Sequence, residues 1–211
     1  MRAISYLIFI FFAPALILLN FNFLVFNHGF YKTQFEKLRV YETFGSREIV
    51  DIQSERLIGF LCCGKELDRD FFNERERQHL ADVKKIITLN QAAAVFLAGL
   101  VLAGFIFLIL KKNEKEFAKT LLGASVITVL SLIFLWLSAF INFDWFFLQF
   151  HYLTFDNDLW QLPEGANLIK LFPQQFFLNF ANRIAIQTLI ISVILILVSL
   201  YLVRENDSKK H

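Results

Sequence analysis

The chain carries four histidines, His28, His79, His151 and His211, and imidazole is the side chain that titrates nearest neutral pH. His79 and Asp82 stand three apart in NERERQHLADVKK, a segment with helical patterning, so both fall on one helix face. A carboxylate there can accept the imidazole N–H, fix the tautomer and leave the other ring nitrogen as a base. His151 is followed by Tyr152, Asp156, Asn157 and Asp158, with Trp160 just beyond. The same residues leave two other readings open. One is a metal site built from His79, Asp82 and His151. The other is a set of interfacial imidazoles bonded to backbone. His211 falls in the C-terminal tail and is expected to be idle. Cys62 and Cys63 are adjacent. Neighbouring cysteines seldom bridge, so the pair is read as two small apolar residues on a helix, with no disulfide framework and no paired metal-ligand spacing.

The elements that must position these groups are set by hydropathy. Of 211 residues, 56% are hydrophobic and 27 are Phe. One water-soluble core cannot hide that much apolar surface, so lipid must take a share of it. The net charge of +2 supplies no basic field for nucleic acid. Four stretches are long and apolar enough to cross a bilayer, at about 3–26, 89–110, 118–141 and 184–203. The expected fold is an all-α membrane protein, a single integral membrane domain over 1–211, with four transmembrane helices and two extracytoplasmic helical and aromatic loops at about 27–88 and 142–183. The first stretch is read as a retained helix, because its apolar run is long for a signal peptide and no small-x-small site follows it. The second contains Ala94, Ala98, Gly99, Ala103 and Gly104, which would let helix backbones approach closely.

Lys111, Lys112, Lys115 and Lys119 lie in and beside the short link between the second and third stretches, Arg204, Lys209 and Lys210 follow the fourth, and Arg2 precedes the first. The positive-inside rule then places both termini in the cytoplasm of a multi-pass cell-membrane protein, with both long loops outside. His28, His79 and His151 all fall on that outer side. In the first loop, Phe35, Leu38 and Tyr41, and then Ile49, Ile52, Leu57, Phe60 and Leu61, recur at helical spacing. Asn73 with Glu76 three residues on reads as a capping box opening a helix that runs into the second span. The second loop, rich in Phe and carrying Trp145, Tyr152 and Trp160, is expected to lie along the outer leaflet. Its Pro173 can open the helix leading into the fourth span.

Two motifs carry a family resemblance. FFNERERQHLADVKK, with its His79-x-x-Asp82-Val83 centre, resembles one signature of the bacterial lipoprotein intramolecular transacylases. Phe150-His151, Phe155, Asn157-Asp158 and Trp160, followed by Leu171-Phe172-Pro173 and Phe176-Phe177, are similar to a second. The order of spans and loops agrees as well. The stretch after Trp160, 161–167, departs from the more acidic run of the family. The resemblance implies an acyltransferase whose substrate is a lipoprotein with a diacylglyceryl thioether on its N-terminal Cys. The sn-2 acyl chain would move from glycerol oxygen to the Cys α-amino group. The resemblance implies catalytic roles for His79 and His151. Asp82 is expected to hold His79 as base, with His151 as oxyanion donor or acid, and the two roles could be exchanged. Tyr152, Asn157, Asp158 and Trp160 are the expected substrate contacts. This reading needs no metal and no cofactor, and its partners are membrane lipid and the lipoprotein.

The alternative is a non-catalytic membrane protein that binds lipid or a partner through its outer aromatic surface. A transporter is disfavoured, because no ionisable residue lies inside a span, where such groups mark pathways.

Overall fold

The computed structural model describes residues 2–208. Lys209 and Lys210, on which part of the topology reading rested, and His211, expected to be idle, lie outside the described residues. Among the described residues there is no strand. The elements are α1 (Arg2–Val25), α2 (His28–Lys37), α3 (Val40–Phe44), α4 (Arg47–Cys63), α5 (Glu74–Leu110), α6 (Glu114–Ile141), α7 (Phe143–Thr154), α8 (Asn167–Leu171) and α9 (Gln174–Ser208). By length and composition α1, α5, α6 and α9 can each cross a membrane. The chain is therefore an all-α, multi-pass membrane protein. It divides into two compact units.

The first unit is the described part of 1–21, 91–141 and 184–211. Ile8, Ala15, Leu108 and Ala124 form its core, with Phe12, Val101 and Leu121 around them. The large apolar side chains left exposed on these helices, such as Phe96, Phe134 and Leu197, are what lipid-facing surface requires. Close backbone approach occurs at fewer small residues than the sequence suggests. A Cβ on Gly104 would come within 3.0 Å of Ile8, and one on Gly123 within 2.9 Å of Phe9. Gly99 has open space around it and Ala103 is exposed. The reason is helical phase: only the residues on the stripe through Ala94, Val101 and Leu108 face inward. Polar side chains link the helices inside this unit. Thr120 Oγ1 donates to Ser5 Oγ, and Ser5 Oγ to Glu116 Oε1, both at 2.9 Å. Asn20 Nδ2 donates to Thr188 Oγ1 at 3.1 Å.

The second unit comprises 22–90 and 142–183. An aromatic core holds it together. The rings of Tyr31, Phe35, Phe172 and Phe176 pack with centroids 5.0–6.3 Å apart. Asn27 caps α2 through Phe30 N, and Ser46 caps α4 through Ile49 N. The buried stripe of α4 is Val50, Leu57, Ile58 and Leu61, with Gln53 and Ser54 between. Ile49 and Ile52, read from the sequence as part of that stripe, are exposed. A period of 3.6 anchored on Leu57 and Leu61 reaches Val50 and leaves them on the far side.

Cys62 and Cys63 also depart from expectation. They are joined by a disulfide, and both are exposed rather than packed in a helix face. They are the last two residues of α4, where Gly64 (φ 73°) turns the chain out of the helix in the left-handed region open to glycine.

α5 is one helix of 37 residues, so the segment bearing His79 and the second span are continuous. The second long loop contains a helix that was not read from the sequence. Only Asn142 separates α7 from α6, and its side chain caps α7 by accepting from Trp145 N at 2.9 Å. No described residue of α7 is buried. Pro173 directly precedes α9, and its carbonyl accepts from Phe176 N at 2.7 Å.

Candidate active site

The second unit brings two histidines to one aromatic ring. His79 comes from the second turn of α5, and His151 from the last turn of α7. The centroid of Phe155 lies 5.0 Å from the His79 ring and 5.7 Å from the His151 ring.

His79 reaches this place because the start of α5 is held firmly. Asn73 Oδ1 accepts from Glu76 N at 3.0 Å, and Glu76 Oε2 accepts from Asn73 N at 2.7 Å, a reciprocal capping box. The other oxygen of Glu76, in a side chain 1% exposed, accepts from Leu168 N in the first turn of α8 at 2.7 Å. Asn167 Nδ2 donates to Phe71 O at 2.7 Å beside it. Glu76 is thus a buried clasp one helical turn from His79. Arg75 reaches the backbone carbonyl of Asp158 and fastens the far loop to the same turn.

His79 is buried, and its Nδ1 has no hydrogen-bond partner. Burial pushes its pKa down to about 4; the neighbouring charge of His151 adds to this, and Asp82 opposes it. The imidazole is therefore neutral at pH 7. Asp82 does not make the expected hydrogen bond to His79. One of its oxygens accepts from Lys85 Nζ at 2.8 Å and the other from Asn157 Nδ2 at 3.0 Å. These donors hold its carboxyl below the usual carboxylate range. Asp82 acts on His79 through charge and ties down the Asn157 loop by contact.

His151 is held differently. Its Nδ1 lies 2.7 Å from the carbonyl oxygen of Phe147. A carbonyl can only accept, so Nδ1 carries the proton and Nε2 of the neutral ring holds the lone pair. The ring packs against Phe147 at 4.5 Å and Trp160 at 4.9 Å, with Phe150 edge-on at 5.5 Å. Burial lowers its pKa, and the bond to Phe147 raises it in part.

Of the residues expected to contact substrate, Trp160 lies on His151, and Tyr152 is exposed and edge-on to Trp160 at 5.2 Å. Asn157 bridges to Asp82, while its Oδ1 accepts from Leu159 N at 3.0 Å. Asp158 accepts from Gln161 Nε2 at 3.3 Å through Oδ1. His28 opens α2 and is exposed, and no ring contact joins it to the pair. Among the described residues no three His, Cys, Asp or Glu side chains are grouped to hold a metal ion. Glu76, Arg75 and the shared ring of Phe155 were not read as site residues. The capping-box pattern pointed to Glu76, but its partner Leu168 is 92 positions away.

The described chain thus combines four helices able to cross a membrane, two imidazoles on one aromatic ring and an exposed aromatic helix. The chain matches the family model of the lipoprotein intramolecular transacylase Lit over residues 5–177, and it belongs to that family. It is similar to the solved structure of the membrane-integral lipoprotein intramolecular transacylase Lit from Bacillus cereus. The TM-score is 0.87 at 26% identity, covering 98% of this chain and 97% of that one. Two further structures of the Bacillus cereus protein, with a histidine replaced by Arg or by Ala, match with TM-scores of 0.83. An uncharacterized protein of Aquifex aeolicus (strain VF5) is 25% identical over 125 residues; the match takes in 59% of this chain and 55% of that protein, little more than half its length.

Proposed function

We propose that this chain is an O-to-N acyltransferase that moves the sn-2 acyl chain of a diacylglyceryl-modified lipoprotein to the α-amino group of its N-terminal Cys. The observation that carries the reading is the convergence of His79 and His151 on Phe155 within a chain of the transacylase family.

An α-amino group has a pKa of about 7.7–8.0 and is largely protonated at neutral pH. The Nε2 lone pair of His151 takes its proton. The free amine attacks the ester carbonyl of the same molecule through a ring of about eight atoms, so holding that conformer supplies much of the rate. The C–N bond forms and the C–O bond to glycerol breaks. That first proton passes to water; as the amide forms, His151 Nε2 takes a second proton from the attacking nitrogen, and the imidazolium so formed hands it to the departing glycerol oxygen. The rings of Phe147 and Trp160, with centroids 4.5 and 4.9 Å from that of His151, are close enough to stabilise the cation while it exists. His79, with its depressed pKa, is a poor base and a good neutral donor, so it serves the developing oxyanion. This exchanges the two roles first expected from the sequence. Asp82 and Asn157 set the loop that carries Trp160. Tyr152 and Asp158 line the substrate side. The lysines beside the α5–α6 link favour cytoplasmic termini, which puts the pair at the outer leaflet.

The test is incubation of purified protein with a diacylglyceryl lipopeptide, followed by fragmentation mass spectrometry. The acyl chain is expected on the amine. An acyl chain left on glycerol by intact protein at every pH tried sinks the enzyme reading. It would favour the alternative, a lipid- or partner-binding protein, for which the uncovered aromatic surface of α7 speaks.

A further inference from the structure

The first three turns of α5 have two working faces. Successive residues advance by about 100°, so Glu76, His79 and Asp82 cluster on one side and Glu74, Arg77, Ala81 and Lys84 cluster about 180° away. That second face borders a concavity of about 460 Å³ whose other wall is the end of α4 and the chain after it, with Phe60, Lys65 and Arg69.

Four cations surround this space, and two of them, Arg77 and Lys84, are held by the opposite wall. Lys84 Nζ sits 4.4 Å from the centroid of the Phe60 ring. The Lys65 side chain folds back over Gly59, where a Cβ would come within 2.5 Å of Lys65 Cδ. Arg77 donates to the carbonyl oxygen of Phe72 at 3.2 Å and to that of Arg69 at 3.4 Å, and it pairs with Glu74. Among the described residues Lys65, Arg69 and Lys84 make no ion pair. Glu66 is the remaining acid on the rim. Ala81, between Arg77 and Lys84 on the same stripe, leaves the gap open. Of the four, Arg77 is paired with Glu74, while Lys65, Arg69 and Lys84 keep their charge for a ligand.

The depth of the concavity narrows the choice of ligand. Lys84 is five residues before Leu89, where the apolar stretch opens, or about 7.5 Å along the helix. That is the depth of the lipid headgroups. We propose that this concavity binds a phosphate-bearing anion, supplied by the headgroup of an anionic phospholipid, on the side of α5 away from His79.

Native mass spectrometry of the full chain in detergent, with dioleoyl phosphatidylglycerol or dioleoyl phosphatidylcholine, tests this. The anionic lipid should be retained about ten-fold better. The preference should vanish in Lys84→Gln with Arg69→Gln. It should also vanish in Ala81→Phe, which fills the gap without changing charge, with thermal unfolding near that of the parent. Lys170→Gln, which removes a cation elsewhere in the same unit, should leave it intact. The proposal is overturned by equal retention of the two lipids, by a preference that survives both site variants, or by one that falls equally in Lys170→Gln. Millimolar inorganic phosphate identifies the source. A lipid adduct that resists it supports the headgroup, and displacement by it overturns the lipid source in favour of free phosphate.

Discussion

His151 donates its Nδ1 proton to the carbonyl oxygen of Phe147, one turn back on the same helix, at 2.7 Å. This bond leaves a single nitrogen, Nε2, available as a base, and it makes the two histidines unequal. His151→Ala should lower kcat/KM for the lipopeptide by about 10²–10⁴-fold, the usual worth of a general base. His79→Ala should cost about 10²–10³-fold, as for one oxyanion donor. Steady-state kinetics with mass-spectrometric product detection would measure both. Activity that survives both substitutions would rule out the pair.

The imidazoles should also titrate unequally. Burial and the charge of His151 hold His79 neutral down to about pH 4, and His151 should titrate below its ordinary value of about 6.5. Histidine-labelled protein followed by NMR through an acid titration would show it. A His79 signal that moves near pH 6.5 would contradict the enclosed site.

That depressed pKa carries a stability cost with a definite sign. The unfolded chain binds the proton near pH 6.5 and the folded chain near pH 4, so stability is full above about 6.5 and falls as the pH drops towards 4. The thermal midpoint of His79→Gln should fall less over that window than that of the parent. Parallel melting curves for the two proteins would show that His79 does not contribute.

Asp82 offers a test of what positions what. Because its oxygens hold Lys85 and Asn157, Asp82→Asn and Asn157→Ala should each lower activity by roughly ten-fold, and the double variant should be little worse than either. An Asp82 that fixed the His79 tautomer directly would instead cost roughly 10⁴-fold, and the Asn157 change would add to it.

Glu76→Ala should be the most destabilising of these substitutions, by roughly 2–4 kcal/mol, since it strands the buried backbone N–H of Leu168 and opens the capping box at Asn73. Glu76→Gln, which keeps one of the two acceptor oxygens but sets an NH2 against the other N–H, should lose less than Glu76→Ala. Scanning fluorimetry in detergent would order the three proteins.

The parts of this molecule legible in its sequence are those governed by local rules. The four spans show because lipid offers no partners to an exposed backbone, so each must be a long apolar helix. The Asn73–Glu76 box shows because both its bonds close within four residues. What stayed hidden depends on distant chain. Asn157 competes for Asp82 from 75 positions away, and Phe155 serves two imidazoles only once α5 and α7 are folded. Ile49 and Ile52 misled because their spacing suits a buried stripe whose phase is set by Leu57 and Leu61. α7 was concealed by its composition: aromatics that mark an interface do not announce a helix. The disulfide at Cys62–Cys63 lay outside what spacing alone suggests for neighbouring cysteines.

α7 has twelve residues, none of them buried, and a helix that short is barely stable in water. The bond that orients His151 exists only while that helix is wound, because donor and acceptor are one turn apart. Acyl chains packed around Trp145, Phe146 and Leu153 would keep it wound. The tautomer of His151 is thus a property of the winding of α7, and whatever loosens that one turn frees Nδ1 as well.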